Sequence, residues 1–212
     1  MSFRRGLAAL LAIGLLPAVA LAQTGKTQAD PIDLMTDALV TMFPVGDVMQ
    51  DAADKDPTWP LQDKASAVPA NQLICLRNEL SREGFRRNKR LEVVEYAQQH
   101  AANFADETRK AQAVAPVMAR MVGAGIVAAN TGTELDPTSA LKNTTVDELL
   151  VFNDVFRDPK YRDLRELTGF GDILSFENGR QEEAGKATGE KIVVTLMLKA
   201  MKTCEVEPSA LI

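Results

Sequence analysis

Apolar residues recur along this chain at spacings of three and four, and hardly anywhere at the two-residue spacing of a strand. Such intervals place side chains on one face of an α-helix, so the pattern predicts a helical protein. Asp30-Pro31 opens the first helix as N-cap and first-turn proline, with Ile32, Met35, Leu39 and Met42 as its apolar stripe. Pro44 interrupts that helix, and Val45 to Ala53 continues as a separate short turn. Asp54 to Pro69 reads as a polar loop punctuated by Pro57 and Pro60. Within it Trp59 is either a plug at the edge of the core or a platform for a stacked ligand, the plug being the simpler reading.

Asn71 to Arg87 is expected to be the second helix, burying Leu73, Leu76 and Leu80; a third begins at Leu91 and carries Val94, Ala97, Ala101 and Phe104. Ala111 to Ala129 is apolar almost all round, as expected of a helix surrounded by others, and Pro116 should kink it or begin a new segment. A membrane span is disfavoured there, because Arg120 lies within the stretch and a central arginine costs ~2.5–3.5 kcal/mol on insertion scales. Thr131 to Thr144 reads as a turn-rich loop. Thr145 and Glu148 then form a capping box, in which hydroxyl and carboxylate each satisfy a free amide. Leu149, Phe152 and Phe156 should face inward, Asp158-Pro159 repeats the cap-plus-proline start, and Leu164 and Leu167 carry the stripe to Gly169. A last helix covers Lys186 to Thr203, with Val193, Leu196, Met197, Ala200 and Met201 on one face. The expected fold is all-α, a single compact multi-helix domain.

The N-terminal segment changes the compartment. Arg4 and Arg5 precede an apolar stretch, Leu7 to Leu16, that is too short for a permanent anchor; Pro17 follows, and Ala20-Leu21-Ala22 supplies a small-x-small cleavage pattern before Gln23. Residues 1–22 are therefore expected to be a cleaved signal peptide, leaving 23–212 as a periplasmic helical domain without stable membrane insertion. Of the 24 basic residues, Arg4 and Arg5 leave with the signal, so 22 face 29 acids and the formal charge becomes −7. That balance argues against nucleic acid and anionic membranes and suits a cationic protein partner, although solubility alone would also explain it.

Candidate chemistry is sparse. In an oxidising compartment the lone pair Cys75 and Cys204 is most simply a disulfide, the alternative being two buried free thiols. Closing so long a loop stabilises by roughly 4–5 kcal/mol in the chain-entropy description. His100 is the only histidine, which excludes zinc sites built on histidine pairs. No Gly-x-Ser-x-Gly elbow occurs, and Gly123-Ala124-Gly125 lacks the third glycine of a dinucleotide loop. The acid pairs Asp147 with Glu148 and Glu182 with Glu183 are adjacent in sequence and splay apart on a helix, unlike glycosidase carboxyls held across a cleft. No catalytic, cofactor-binding or metal-binding set is expected, and the protein is read as a non-enzyme. Arg82, Arg86, Arg87, Lys89 and Arg90 surround Phe85. They form either a solvated helix end whose dipole favours cations, or an anchor patch for an acidic partner.

Glu148-Leu149, Phe152, Phe156 and Asp158-Pro159, followed by Tyr161 and Leu164, resemble the exported helical family catalogued as domain of unknown function 2059. The likeness spans about 60 residues from Thr145 onward and implies a secreted helical domain without an established catalytic set. Such proteins also resemble, at the level of class, immunity proteins that neutralise toxic effectors. The functional expectation is accordingly a periplasmic inhibitor that occludes the active site of a secreted antibacterial effector, a cell-wall or membrane hydrolase. The alternative is an envelope chaperone or assembly factor with no toxin partner. Trp59, Phe85, Arg86 and Arg87 are the expected partner-binding residues.

Overall fold

The carboxylate of Asp30 accepts the Ile32 amide at 3.0 Å and Pro31 fixes the first turn, so α1 (Pro31–Met42) starts where its sequence places it. The computed structural model describes residues 29–134, 136, 138, 141–171 and 181–211. The chain is an all-α single domain, with no strand among the described residues. The signal peptide expected over residues 1–22 lies outside them.

Met35, Leu39 and Met42 of α1 are almost wholly buried and pack onto α4 (Arg82–Gln99) and α5 (Phe104–Thr131). Val93 and Tyr96 of α4 and Ala111, Val114, Val117 and Met118 of α5 complete this layer. α6 (Val146–Arg157) closes it with Phe152, Val155 and Phe156, and α7 (Arg162–Thr168) adds Leu164. Burial of side chains this size contributes about 1.5–3 kcal/mol each. A second cluster joins α2 (Val45–Lys55), α3 (Ala70–Glu79), the start of α4 and the end of α8 (Gln181–Thr203) through Met49, Leu61, Leu76, Phe85, Met201 and Val206. Cys75 and Cys204 are disulfide-bonded within it and tie α3 to the end of α8.

The start signals read from the sequence operate as expected. Thr145 and Glu148 form both halves of the capping box, with the Thr145 amide donating to the Glu148 carboxylate at 2.7 Å. Asp158 accepts the Lys160 amide, a single 3-10 turn (Pro159–Tyr161) leads into α7, and Gly169 ends α7 with φ +86°. Trp59 is half-buried against the second cluster, the plug of the simpler reading. Its loop is held from within: Arg77 donates to the carbonyls of Ala53, Asp56 and Trp59 at 2.7, 2.8 and 3.3 Å. Two hydrogen bonds from Thr58, side chain and backbone, lower the Asp56 carboxyl pKa.

Several expectations need correcting. The second helix does not run to Arg87: α3 stops at Glu79 and α4 begins at Arg82, capped by the Ser81 hydroxyl on the Gly84 amide at 3.1 Å. The corner is tight enough that a Cβ on Gly84 would sit 2.2 Å from the Asn78 carbonyl oxygen. The arginine-rich stretch therefore starts a helix, where the dipole opposes cations. The buried stripe of α4 is Phe85, Val93 and Tyr96, one register off the expected Leu91 and Val94, and Leu91 is 65% exposed. Leu149 and Val193 are likewise exposed. α5 passes through Pro116 unbroken, and from Ala119 to Ile126 its residues are only half-buried, followed by an exposed Val127 and a buried Ala128. By length and apolarity Phe104–Ala128 would suffice to cross a membrane, but its first half is core. Within the expected Thr131 to Thr144 loop, Thr138 and Leu141 are helical, and Leu141 packs on the first cluster.

Candidate binding cleft

α4 carries Asn88, Glu92, Glu95 and Gln99 along one flank, at the spacings that line up on a helix surface. That flank, the C-terminal end of α7 and one face of α8 enclose a cleft of about 890 Å³. Gly169 makes the third wall possible. Its positive φ turns the chain back over the groove, and a Cβ there would lie 3.3 Å from the Ile192 side chain. Phe170 consequently meets Phe43 edge-on, ring centroids 5.4 Å apart. These two half-buried rings, with Ile192 and Leu196 of α8, form the apolar part of the lining.

Charge ties the walls together across this floor. Lys89, whose side chain is 14% exposed, donates to Glu92 at 2.6 Å and to the Leu167 carbonyl at 3.3 Å, linking α4 to the end of α7. Lys199 of α8 donates to the other oxygen of Glu92 at 2.9 Å. Burial pushes the Glu92 carboxyl up, but Lys89 and Lys199 outweigh it and hold the carboxyl below its ordinary range. The remaining acids are less engaged. Glu95 accepts only the Gln99 amide at 3.3 Å, Asp163 has His100 Nε2 at 3.8 Å, and Glu166 makes no ion pair among the described residues.

The Thr168 hydroxyl donates to the Arg165 carbonyl and accepts the Phe170 amide; that of Thr195 donates to the Lys191 carbonyl. Both hydroxyls are thus committed to the local backbone, and both cysteines to the disulfide. His100 stacks on Tyr96, centroids 4.1 Å apart, and Tyr96 donates to the buried Glu107 at 2.9 Å. Burial and the Glu107 carboxylate push the Tyr96 phenol far above its ordinary value, so it stays a neutral donor. No group of three or more potential metal ligands occurs among the described residues.

The four expected partner-binding residues are not brought together. Phe85, 4% exposed, forms the base beneath the cleft and belongs to the core. Trp59 packs against the same second cluster to which Phe85 belongs, half-buried beside the disulfide. Arg86 is held by Asp37 at 2.8 Å and Arg87 by Glu79 at 2.6 Å. With Arg82 on Asp47 and Arg90 on Asp33, they form a ladder of ion pairs from α4 to α1, α2 and α3. Sequence reading missed Glu95, Asp163, Glu166, Phe43 and Phe170, whose only local signal was the Gly169 helix stop. Comparison with family models, with curated proteins and with solved structures finds no match to this chain.

Proposed function

We propose that this protein is a periplasmic protein-binding inhibitor, most concretely an immunity protein that neutralises a secreted antibacterial effector by occluding its active site. The cleft between α4, α7 and α8 carries this reading. It offers ion-pairing groups around an aromatic and aliphatic floor, and its hydroxyls are occupied by backbone partners, which suits holding a segment of another protein. The Lys199–Glu92 ion pair and the hydrogen bond from Lys89 to the Leu167 carbonyl hold the walls together before any partner arrives, which lowers the ordering cost of association. The sequence supplies the remaining support: an N-terminal export pattern, a cysteine pair suited to an oxidising compartment, and a likeness to exported helical proteins.

An effector encoded beside this gene should form a one-to-one complex with the purified protein and lose its hydrolytic activity. Nanomolar affinity, about −12 kcal/mol, is expected, because free toxin is lethal. Light scattering of the mixture and an activity assay on the effector test both statements. Cells lacking the gene that resist every neighbouring effector, with no complex formed in vitro, would overturn the inhibitor reading. An envelope chaperone or assembly factor is the second reading. It is favoured by the apolar end of the bundle, where Val127, Val146 and Leu150 are each more than 60% exposed.

A further inference from the structure

Resting on the proposal that the cleft holds a partner, we infer that its occupant is a cationic protein segment: one apolar or aromatic residue flanked by lysine or arginine. Arg82, Arg86, Arg87, Arg90, Lys110 and Lys199 each meet a carboxylate of this chain. The cleft reverses that balance. Glu92 is saturated by two lysines, whereas Glu95, Asp163 and Glu166 line the cleft with only a distant histidine and an amide as partners; against these three acids stands one lining lysine, Lys191, with no ion pair among the described residues. These acids line the same cleft as the Phe43–Phe170 edge pair.

An acidic rim over a half-exposed aromatic floor selects on two counts. The floor removes an apolar side chain from water, and the rim gives unmatched carboxylates their counter-charges. An anionic segment would gain the first and lose on the second. A purely cationic one would gain only exposed ion pairs, worth up to about 1 kcal/mol each. The combination fits a partner whose binding segment is basic and amphipathic, and it agrees with the formal charge of −7 left after the expected signal cleavage.

The test uses the disulfide-bonded protein exported from its full-length gene, with a random library of displayed 12-residue peptides as probe. Enriched peptides should carry net positive charge and at least one aromatic or branched aliphatic residue. Glu95→Gln with Asp163→Asn and Glu166→Gln removes rim charge without altering packing. It should weaken the enriched peptides at least tenfold, as should raising the salt, while circular dichroism stays unchanged. Enrichment of neutral or acidic peptides, affinity indifferent to the triple substitution, or no enrichment at all would overturn the assignment. The inhibitor reading is separable. If the triple variant fails to neutralise an effector while no cationic peptide is selected, the cleft still binds the effector and only the stated chemistry is wrong.

Discussion

The two flanks of α4 carry comparable densities of charge and are built to opposite ends. Along one, Arg82, Arg86 and Arg90 recur every fourth residue and each meets an aspartate of α1 or α2. Along the other, Glu92 is paired with Lys89 and Lys199, while Glu95 and, from α7, Asp163 and Glu166 line an open cleft with the two aromatic rings. The first flank is internally neutralised and fastens helices; the second keeps unmatched acids beside exposed apolar surface. The difference teaches that a run of charges in a sequence says little about binding until its partners are known. Its imbalance in the fold is what a ligand can use.

The largest effect should come from Cys75→Ser with Cys204→Ser. The disulfide anchors α8, the wall of the cleft flank, while the arginine flank needs nothing from α8. Loss of roughly 4 kcal/mol is expected on denaturant unfolding. Hydrogen exchange should show α8 losing protection well before α1 and α4, and equal loss in both flanks would break the comparison. Gly84→Ala comes next, since its Cβ would meet backbone oxygens of Asn78 and Glu79 that cannot swing away. The better helix propensity of alanine, about 1 kcal/mol, is outweighed by a clash costing ~1–3 kcal/mol or more. A stabilised variant would mean the corner between α3 and α4 is looser than described.

Smaller effects separate the flanks by charge. Arg86→Glu places a third carboxylate beside Asp33 and Asp37, but the site is a third exposed. The cost should be on the order of 1 kcal/mol and should shrink in high salt. Partner binding should not change with it. Acid titration sharpens the other flank. Glu92 has a depressed pKa when folded, so its contribution is present above the ordinary value of 4.5 and is lost as pH falls below that, through the folded pKa. Glu92→Gln should therefore flatten the decline of melting temperature between about pH 5 and pH 3. An unchanged decline would show that Lys89 and Lys199 do not engage it in solution.

Much of the fold was legible because local signals are chemical and short-range. Asp30-Pro31, Thr145 with Glu148, and Asp158-Pro159 each specify a helix start through atoms within a few residues. The cysteine pair was legible because a lone pair of cysteines on a chain read as exported is most simply a disulfide, and the structure has that bond between Cys75 and Cys204. The corner at Ser81 was not, since Leu80 and Phe85 are both buried and the apolar spacing runs on through the break. The only cue was a capping serine followed by a glycine whose missing Cβ matters only against α3. The cleft was less legible still. Glu95 lies on α4, far in sequence from Asp163 and Phe170 at α7 and the turn after it, and none is unusual where it stands. Arg86 and Arg87 drew attention as a run of cations, and only the fold reveals that acids from α1 and α3 already hold them.

The most direct test of the account sets the flanks against each other in one titration with the effector encoded beside the gene. Glu95→Gln/Asp163→Asn/Glu166→Gln should lose at least tenfold in affinity with unfolding midpoint unchanged. Arg86→Glu should keep wild-type affinity while unfolding slightly earlier. The reverse outcome, with binding lost from the arginine flank and retained in the cleft variant, would contradict the assignment of recognition to the cleft.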